Sequence, residues 1–145
     1  MKEENEKYLF TRFSKFFGVL NNPQDNLMCF GFEHGDGWYT IILTLMEEIE
    51  KVCTETNTSI QVQQVKEKFG TLRFYIQFNG STQKDETIRK QAYERIYELI
   101  ERAEARTEFV CEGCGEPSVQ PNPSQGWVRT LCEKCWNEYK KAHYY

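Results

Sequence analysis

The chain has 145 residues, of which 39% are hydrophobic and 28% charged. That is enough for one compact domain, or for a core of about a hundred residues with a small metal-stapled appendage. A net charge of −4 argues against sequence-independent duplex binding, which depends on neutralising many phosphates. Apolar runs such as Ile41 to Leu43 are far too short to span a bilayer.

The opening Met1-Lys2-Glu3-Glu4-Asn5-Glu6 lacks a secretory apolar region, so a cytoplasmic protein is expected. Leu9, Phe10, Phe13, Phe16, Phe17 and Leu20 recur at three- and four-residue intervals, predicting a short aromatic-faced helix that ends near Gly18 and packs on the core. The same stripe could serve a partner or a homodimer. Asn21 to Asn26 reads as a loop, and the alternation of Met28, Phe30 and Phe32 with Cys29, Gly31 and Glu33 reads as a short strand.

Trp38, Ile42, Leu45, Ile49 and Val52 form an amphipathic stripe. It predicts a helix over 37–55, opened by Gly35-Asp36-Gly37 with Asp36 as the N-cap. Residues 59–67 and 71–78 predict a hairpin around Lys68-Phe69-Gly70. A two-residue turn there demands positive φ at Phe69, so a three-residue loop is the expectation, with Ile60 opposite Phe78 and Val62 opposite Ile76. In that register Leu72, Phe74, Ile76 and Phe78 share one face, and Gln61, Gln63, Val65 and Glu67 lie with Arg73 and Tyr75 on the other. Ile88, Ala92, Ile96, Leu99 and Ala103 then mark a long helix over 84–106 behind a capping pattern at Thr82 to Asp85, with Glu98 and Arg102 placed as an i,i+4 pair.

Phe109 and Val110 lead without a linker into Cys111-Glu112-Gly113-Cys114, which is followed after seventeen residues by Cys132-Glu133-Lys134-Cys135. Two such knuckles at that separation predict a zinc ribbon, each turn presenting two thiolates to one tetrahedral ion. Trp127, Val128 and Leu131 are expected on its return strand, and Trp136 and Tyr139 on a final short helix. The other two cysteines, Cys29 and Cys53, are read as buried thiols, and no disulfides are expected in this compartment. The fold class is therefore α+β. A small antiparallel sheet packs against two main helices, and a core over 1–106 and a ribbon over 107–145 form one integrated unit.

Three blocks read together resemble a group of small proteins encoded by phages and by bacterial genomes carrying mobile elements. They are Gly35-Asp36-Gly37-Trp38, the run Gln64 to Tyr75, and Cys111-Glu112-x-Cys114-Gly115 with Gly126-Trp127 before Thr130-Leu131-Cys132-x-x-Cys135. The resemblance covers about residues 28–136; it implies a genetic context and brings no catalytic residues.

Chemistry is sparse. Residues 115–131 contain no histidine for a nuclease centre, and the Glu33-His34 order and four cysteines do not fit a zinc deaminase, which needs an open coordination position. No Walker-type loop or nucleophile elbow is present, so the sequence leans away from an enzyme. A cationic island of Lys66, Lys68 and Arg73 against Glu67 alone interrupts an otherwise acidic chain, and from residue 107 onward four basic residues face five glutamates. Asp36 could accept hydrogen bonds from a sugar or base, Trp38 and Tyr75 could stack, and Lys66, Lys68 and Arg73 could hold phosphate. The resulting expectation is a non-catalytic zinc-containing protein that sequesters a small anionic, nucleotide-type ligand or docks on and inhibits a host defence protein. A nucleic-acid-binding ribbon is the lesser alternative, favoured by Arg73 and Tyr75 and opposed by the acidic ribbon.

Overall fold

The computed structural model of the protein describes residues 1–18, 23–118 and 128–144. Among these, four α-helices surround a three-stranded mixed sheet: α1 (Glu3–Arg12), β1 (Phe32–Glu33), α2 (Tyr39–Thr56), β2 (Thr58–Lys68), β3 (Thr71–Ser81), α3 (Glu86–Arg106) and α4 (Glu133–Tyr144). The strand order is β1-β2-β3.

The two main helices follow the apolar spacing. All five stripe residues are buried, Trp38 at the N-cap and the other four within α2, where Ile41, Met46 and Cys53 join them. The helix ends on Asn57 at φ 54°, a residue whose short polar side chain tolerates the left-handed cap. Asp36 is not its N-cap: a 3₁₀ turn over Asp36–Trp38 precedes α2, and the carboxylate is turned toward the N-terminal segment. In α3 the cap is Asp85, whose side chain accepts from Thr87 N and Ile88 N. Ala92, Ile96, Ile100 and Ala103 are buried and Leu99 is half-buried, while Ile88, in the capped first turn, is exposed. Glu98 and Arg102 do pair, at 2.7 Å on the solvent side.

The N-terminal helix is shorter than its stripe. It stops at Arg12, and a 3₁₀ turn over Ser14–Phe16 carries the remaining aromatics inward. Leu9, Phe13 and Phe16 are buried, with Phe10 and Phe17 packed against the same core. The aromatic face is thus covered by the chain itself, and each of these side chains contributes about 2 kcal/mol by leaving water. Arg12 seals the seam to α2 with a bidentate grip on Glu50, at 2.9 and 2.7 Å, which pulls the Glu50 carboxyl down to about 2. Leu20 lies outside the described residues.

The sheet departs from the expected antiparallel form. Residues 28–30 make a 3₁₀ turn, and only Phe32 and Glu33 pair, parallel to β2, opposite Val65 and Lys66. Cys29 on that turn is exposed, contrary to expectation, whereas Cys53 is buried. In the hairpin both candidate registers occur. Ile60 faces Phe78 and Val62 faces Ile76, then the register shifts by one residue, so that Gln64 faces Tyr75 and Lys68 faces Thr71. The extra residue is Gln63, a β-bulge, and its carbonyl accepts from Leu27 N at 2.7 Å.

The shifted register leaves a two-residue turn, Phe69-Gly70, with φ of 54° and 83°. The strained turn set aside at Phe69 is the one that forms, because the bulge fixes where the strands end. Phe69 is 69% exposed and gains little from packing, so Phe69→Asn should stabilise the fold by about 1 kcal/mol, relieving the left-handed cost of a bulky residue. Urea unfolding would measure it.

Candidate metal centre

The first knuckle follows α3 through a short 3₁₀ turn, Thr107–Phe109. It is closed by Gly115 N donating to Cys111 O at 2.9 Å, and by Cys111 N donating to Glu116 O at 2.7 Å. The second pair straddles the start of α4, where Trp136 N donates to Cys132 O at 2.8 Å. A helix N-terminus favours negative charge, which suits a pair of thiolates.

The sulfurs of Cys111, Cys114, Cys132 and Cys135 all lie within 4.8 Å of one another, and Cys114 Sγ stands 3.7 Å from Cys132 Sγ. A tetrahedral ion with metal–sulfur bonds of about 2.3 Å requires sulfur–sulfur edges of about 3.8 Å, so the cluster fits one metal ion. All six cysteines are free thiols. Burial, followed by the neighbouring sulfurs, pushes the Cys135 thiol up, while the backbone N–H of Cys135 helps hold Cys132 down. Four thiols this close resist ionising together unless a cation joins them. Gly113 leaves the room they need, since a Cβ there would stand 3.0 Å from Cys135 Sγ.

Beyond the sulfurs, the centre is bolted to the core by Glu112. Its side chain is 2% exposed, and its Oε2 accepts from Gly35 N and from Arg129 Nη2, both at 2.8 Å. Burial raises its carboxyl above the ordinary value against the pull of Arg129 and the Gly35 N–H. Glu112 N donates to Thr130 O at 2.8 Å, and Glu112 O accepts from Gly37 N at 2.8 Å. Thr130 Oγ1 in turn donates to Gly70 O at 2.6 Å, and Trp38 Nε1 donates to Val110 O at 2.9 Å. Gly35 and Gly37 are glycines because the knuckle backbone lies directly on them: an added Cβ would sit 2.3 Å from Glu112 O and 2.1 Å from Cys111 O respectively. The three sequence blocks singled out above are therefore one spatial lock, joining the turn at 35–38, the hairpin tip and the knuckles.

The residues proposed for ligand contact divide into two groups. Trp38 is fully buried, a core ring unavailable for stacking on a ligand. Asp36 Oδ1 accepts from Asn5 Nδ2 at 2.7 Å and Lys2 N at 3.2 Å, fixing the N-terminal helix. The other four come together. Lys66 pairs with Arg73 across the strands, Lys68 with Thr71 and Gln64 with Tyr75, so Lys66, Lys68, Arg73 and Tyr75 all occupy the outer face. Without the bulge, the two lysines would lie on the opposite face from Arg73 and Tyr75. Val65, expected beside Arg73, is instead buried, paired with Phe74. Lys68 and Tyr75 are exposed, Lys66 and Arg73 half-buried, and Arg73 Nη1 is steadied by Thr71 Oγ1 at 2.8 Å.

The expected return strand is not a regular strand among the described residues. Val110 bridges Pro117, and Leu131 is buried; Trp127 lies outside the described residues. Trp136 and Tyr139 do lie on a closing helix, α4, with rings stacked 5.8 Å apart. The sequence reading gave Glu112, Arg129 and Thr130 no role. The available signal was an acid inside a knuckle and an Arg-Thr pair just ahead of Cys132.

His34 supplies a pH signature. It is 6% exposed, and burial lowers its pKa from 6.5 to about 4. Between those values the unfolded chain binds the proton and the folded chain does not, so stability falls with falling pH, by about 1.4 kcal/mol per unit at most. His34→Gln should flatten that slope in denaturant midpoints taken from pH 7 to pH 5.

The fold and site define a small α+β protein with a cluster of four cysteines that could hold a metal ion. No family model, no curated protein and no solved structure matches the chain. No helix among the described residues is long and apolar enough to cross a membrane.

Proposed function

We propose that this is a non-catalytic binding protein, stapled by one zinc ion, whose outer hairpin face docks on an acidic surface of another protein. The observation that supports it is the bulge at Gln63, which gathers Lys66, Lys68, Arg73 and Tyr75 on one solvent-facing strand surface. Arginine and tyrosine are the side chains most enriched where protein surfaces meet. An open strand surface also suits a macromolecule better than a small ligand, which favours a concave site. The metal has a structural part: four cysteine ligands complete a tetrahedral shell and leave no position for substrate. In the phage or mobile-element context that the resemblance implies, the partner of this reading is a host defence protein, inhibited by occlusion in the host cytoplasm.

The test is capture from a lysate of the natural host with the full zinc-loaded chain, followed by reconstitution with the purified partner. The triple variant Lys66→Glu, Lys68→Glu, Arg73→Glu should abolish binding while keeping its zinc and its melting temperature. Undiminished binding by that variant would remove the reading. Salt-sensitive binding of single-stranded oligonucleotides by the same face, without a protein partner, would replace it with the nucleic-acid alternative.

A further inference from the structure

A separate cavity of about 440 Å³ lies between the start of α2, the C-terminal end of α3 and the first knuckle, lined among others by Asp36, Tyr39, Thr40, Arg106, Val110 and Cys114. We propose that it is a binding site for a small organic oxyanion, a phosphate or carboxylate carried on a body that also donates a hydrogen bond. Its size falls in the range of small-molecule sites, and its polar groups come from three elements. Arg106, the last residue of α3, has no ion pair or side-chain hydrogen bond among the described residues. A guanidinium fork of this kind receives a phosphate or carboxylate with two parallel hydrogen bonds.

Asp36 supplies the complementary contact. Its Oδ1 is held by Asn5 Nδ2 and Lys2 N, which fixes the carboxylate in place, and among the described residues Oδ2 is left to accept from a ligand hydroxyl or amine. Tyr39 and Thr40 line the same α2 wall, and Ile41 and Val110 add apolar surface for the body of the ligand. One cation and one immobilised anion in the same cavity select a molecule carrying both an oxyanion and a donor. Inorganic phosphate meets only half of that demand. The site shares no residue with the outer hairpin face, so each can fail alone.

The experiment is a titration of the ¹⁵N-labelled, zinc-loaded full chain with AMP, L-glutamate and inorganic phosphate, followed by amide chemical shifts. AMP or glutamate should shift Tyr39, Thr40 and Gly115 saturably, with a dissociation constant below about 1 mM, phosphate binding at least about tenfold more weakly. Saturation by AMP identifies a phosphate ester as the ligand class, and saturation by glutamate a zwitterionic carboxylate. Arg106→Gln, on an exposed helix end, should weaken binding at least about tenfold, and Lys68→Gln should leave it unchanged. Absence of saturable shifts at those amides with all three probes up to about 10 mM, or binding that survives Arg106→Gln intact, overturns the proposal.

Discussion

Elemental analysis should find one zinc per chain, and a chelator should melt the C-terminal third and loosen the turn at 35–38 with it. Structural zinc sites carry apparent binding free energies of about 10–16 kcal/mol, and that energy is folding energy where the unfolded chain has no formed site. Cys114→Ala is the sharpest variant, because Cys114 is exposed and its loss removes a ligand with little packing. Affinity for zinc should fall by about 100-fold or more, costing about 3 kcal/mol of zinc-dependent stability. The amides of Gly35 and Gly37, which donate to Glu112 Oε2 and Glu112 O, should lose hydrogen-exchange protection when metal is withdrawn. A melting curve and exchange pattern untouched by chelator would show that the four sulfurs do not staple the fold.

Gly37→Ala should be nearly as damaging without touching a metal ligand. The new Cβ would stand 2.1 Å from Cys111 O, 2.6 Å from Gly115 N and 2.7 Å from the Glu112 carbonyl carbon. All three are backbone atoms of the knuckle, so no rotamer change relieves them and the metal module must move off the core. The expected cost is about 3–5 kcal/mol, the range reached when a close-packed site is forced apart. Gly18→Ala makes the useful contrast: its nearest obstacle is the Gln61 side-chain amide at 2.1 Å, which can rotate away, for a cost of about 0.5 kcal/mol. Equal urea midpoints for the two variants would refute the docking of the knuckle on Gly37.

Features set by local spacing were readable from the sequence. The stripes of α2 and α3 and the paired knuckles stand at helical and metal-ligand periods, and each folds accordingly. Features that depend on distant partners were not. Glu112 reads as an ordinary solvated acid until Arg129 and Gly35 are seen around it. At the hairpin tip the left-handed cost at Phe69 favours a three-residue loop locally, whereas the bulge at Gln63, anchored from outside the hairpin by Leu27, imposes the two-residue turn. β1 is legible in the alternation over 28–33, but its bounds are not, since only Phe32 and Glu33 pair, and neither is its parallel direction, which β2 decides. Trp38 reads both as the first residue of the apolar stripe and as a stacking ring beside a glycine turn; its burial, with the indole N–H on Val110 O, decides for the core.

The bulge makes β2 behave like a reading frame. Up to Val62, even-numbered residues point to the core; from Val65 onward, odd-numbered ones do. Pairing Gln63 regularly with Tyr75, with no bulge, would turn Gln64 and Lys66 inward, opposite Phe74 and Leu72, and Val65 out beside Arg73, whereas deleting Gln63 would join Val62 directly to Gln64 and leave every other side chain on its present face. Gln63 is thus the surplus residue of the frame: removing it would straighten the strand and take away the carbonyl that Leu27 N reaches, without reversing either half.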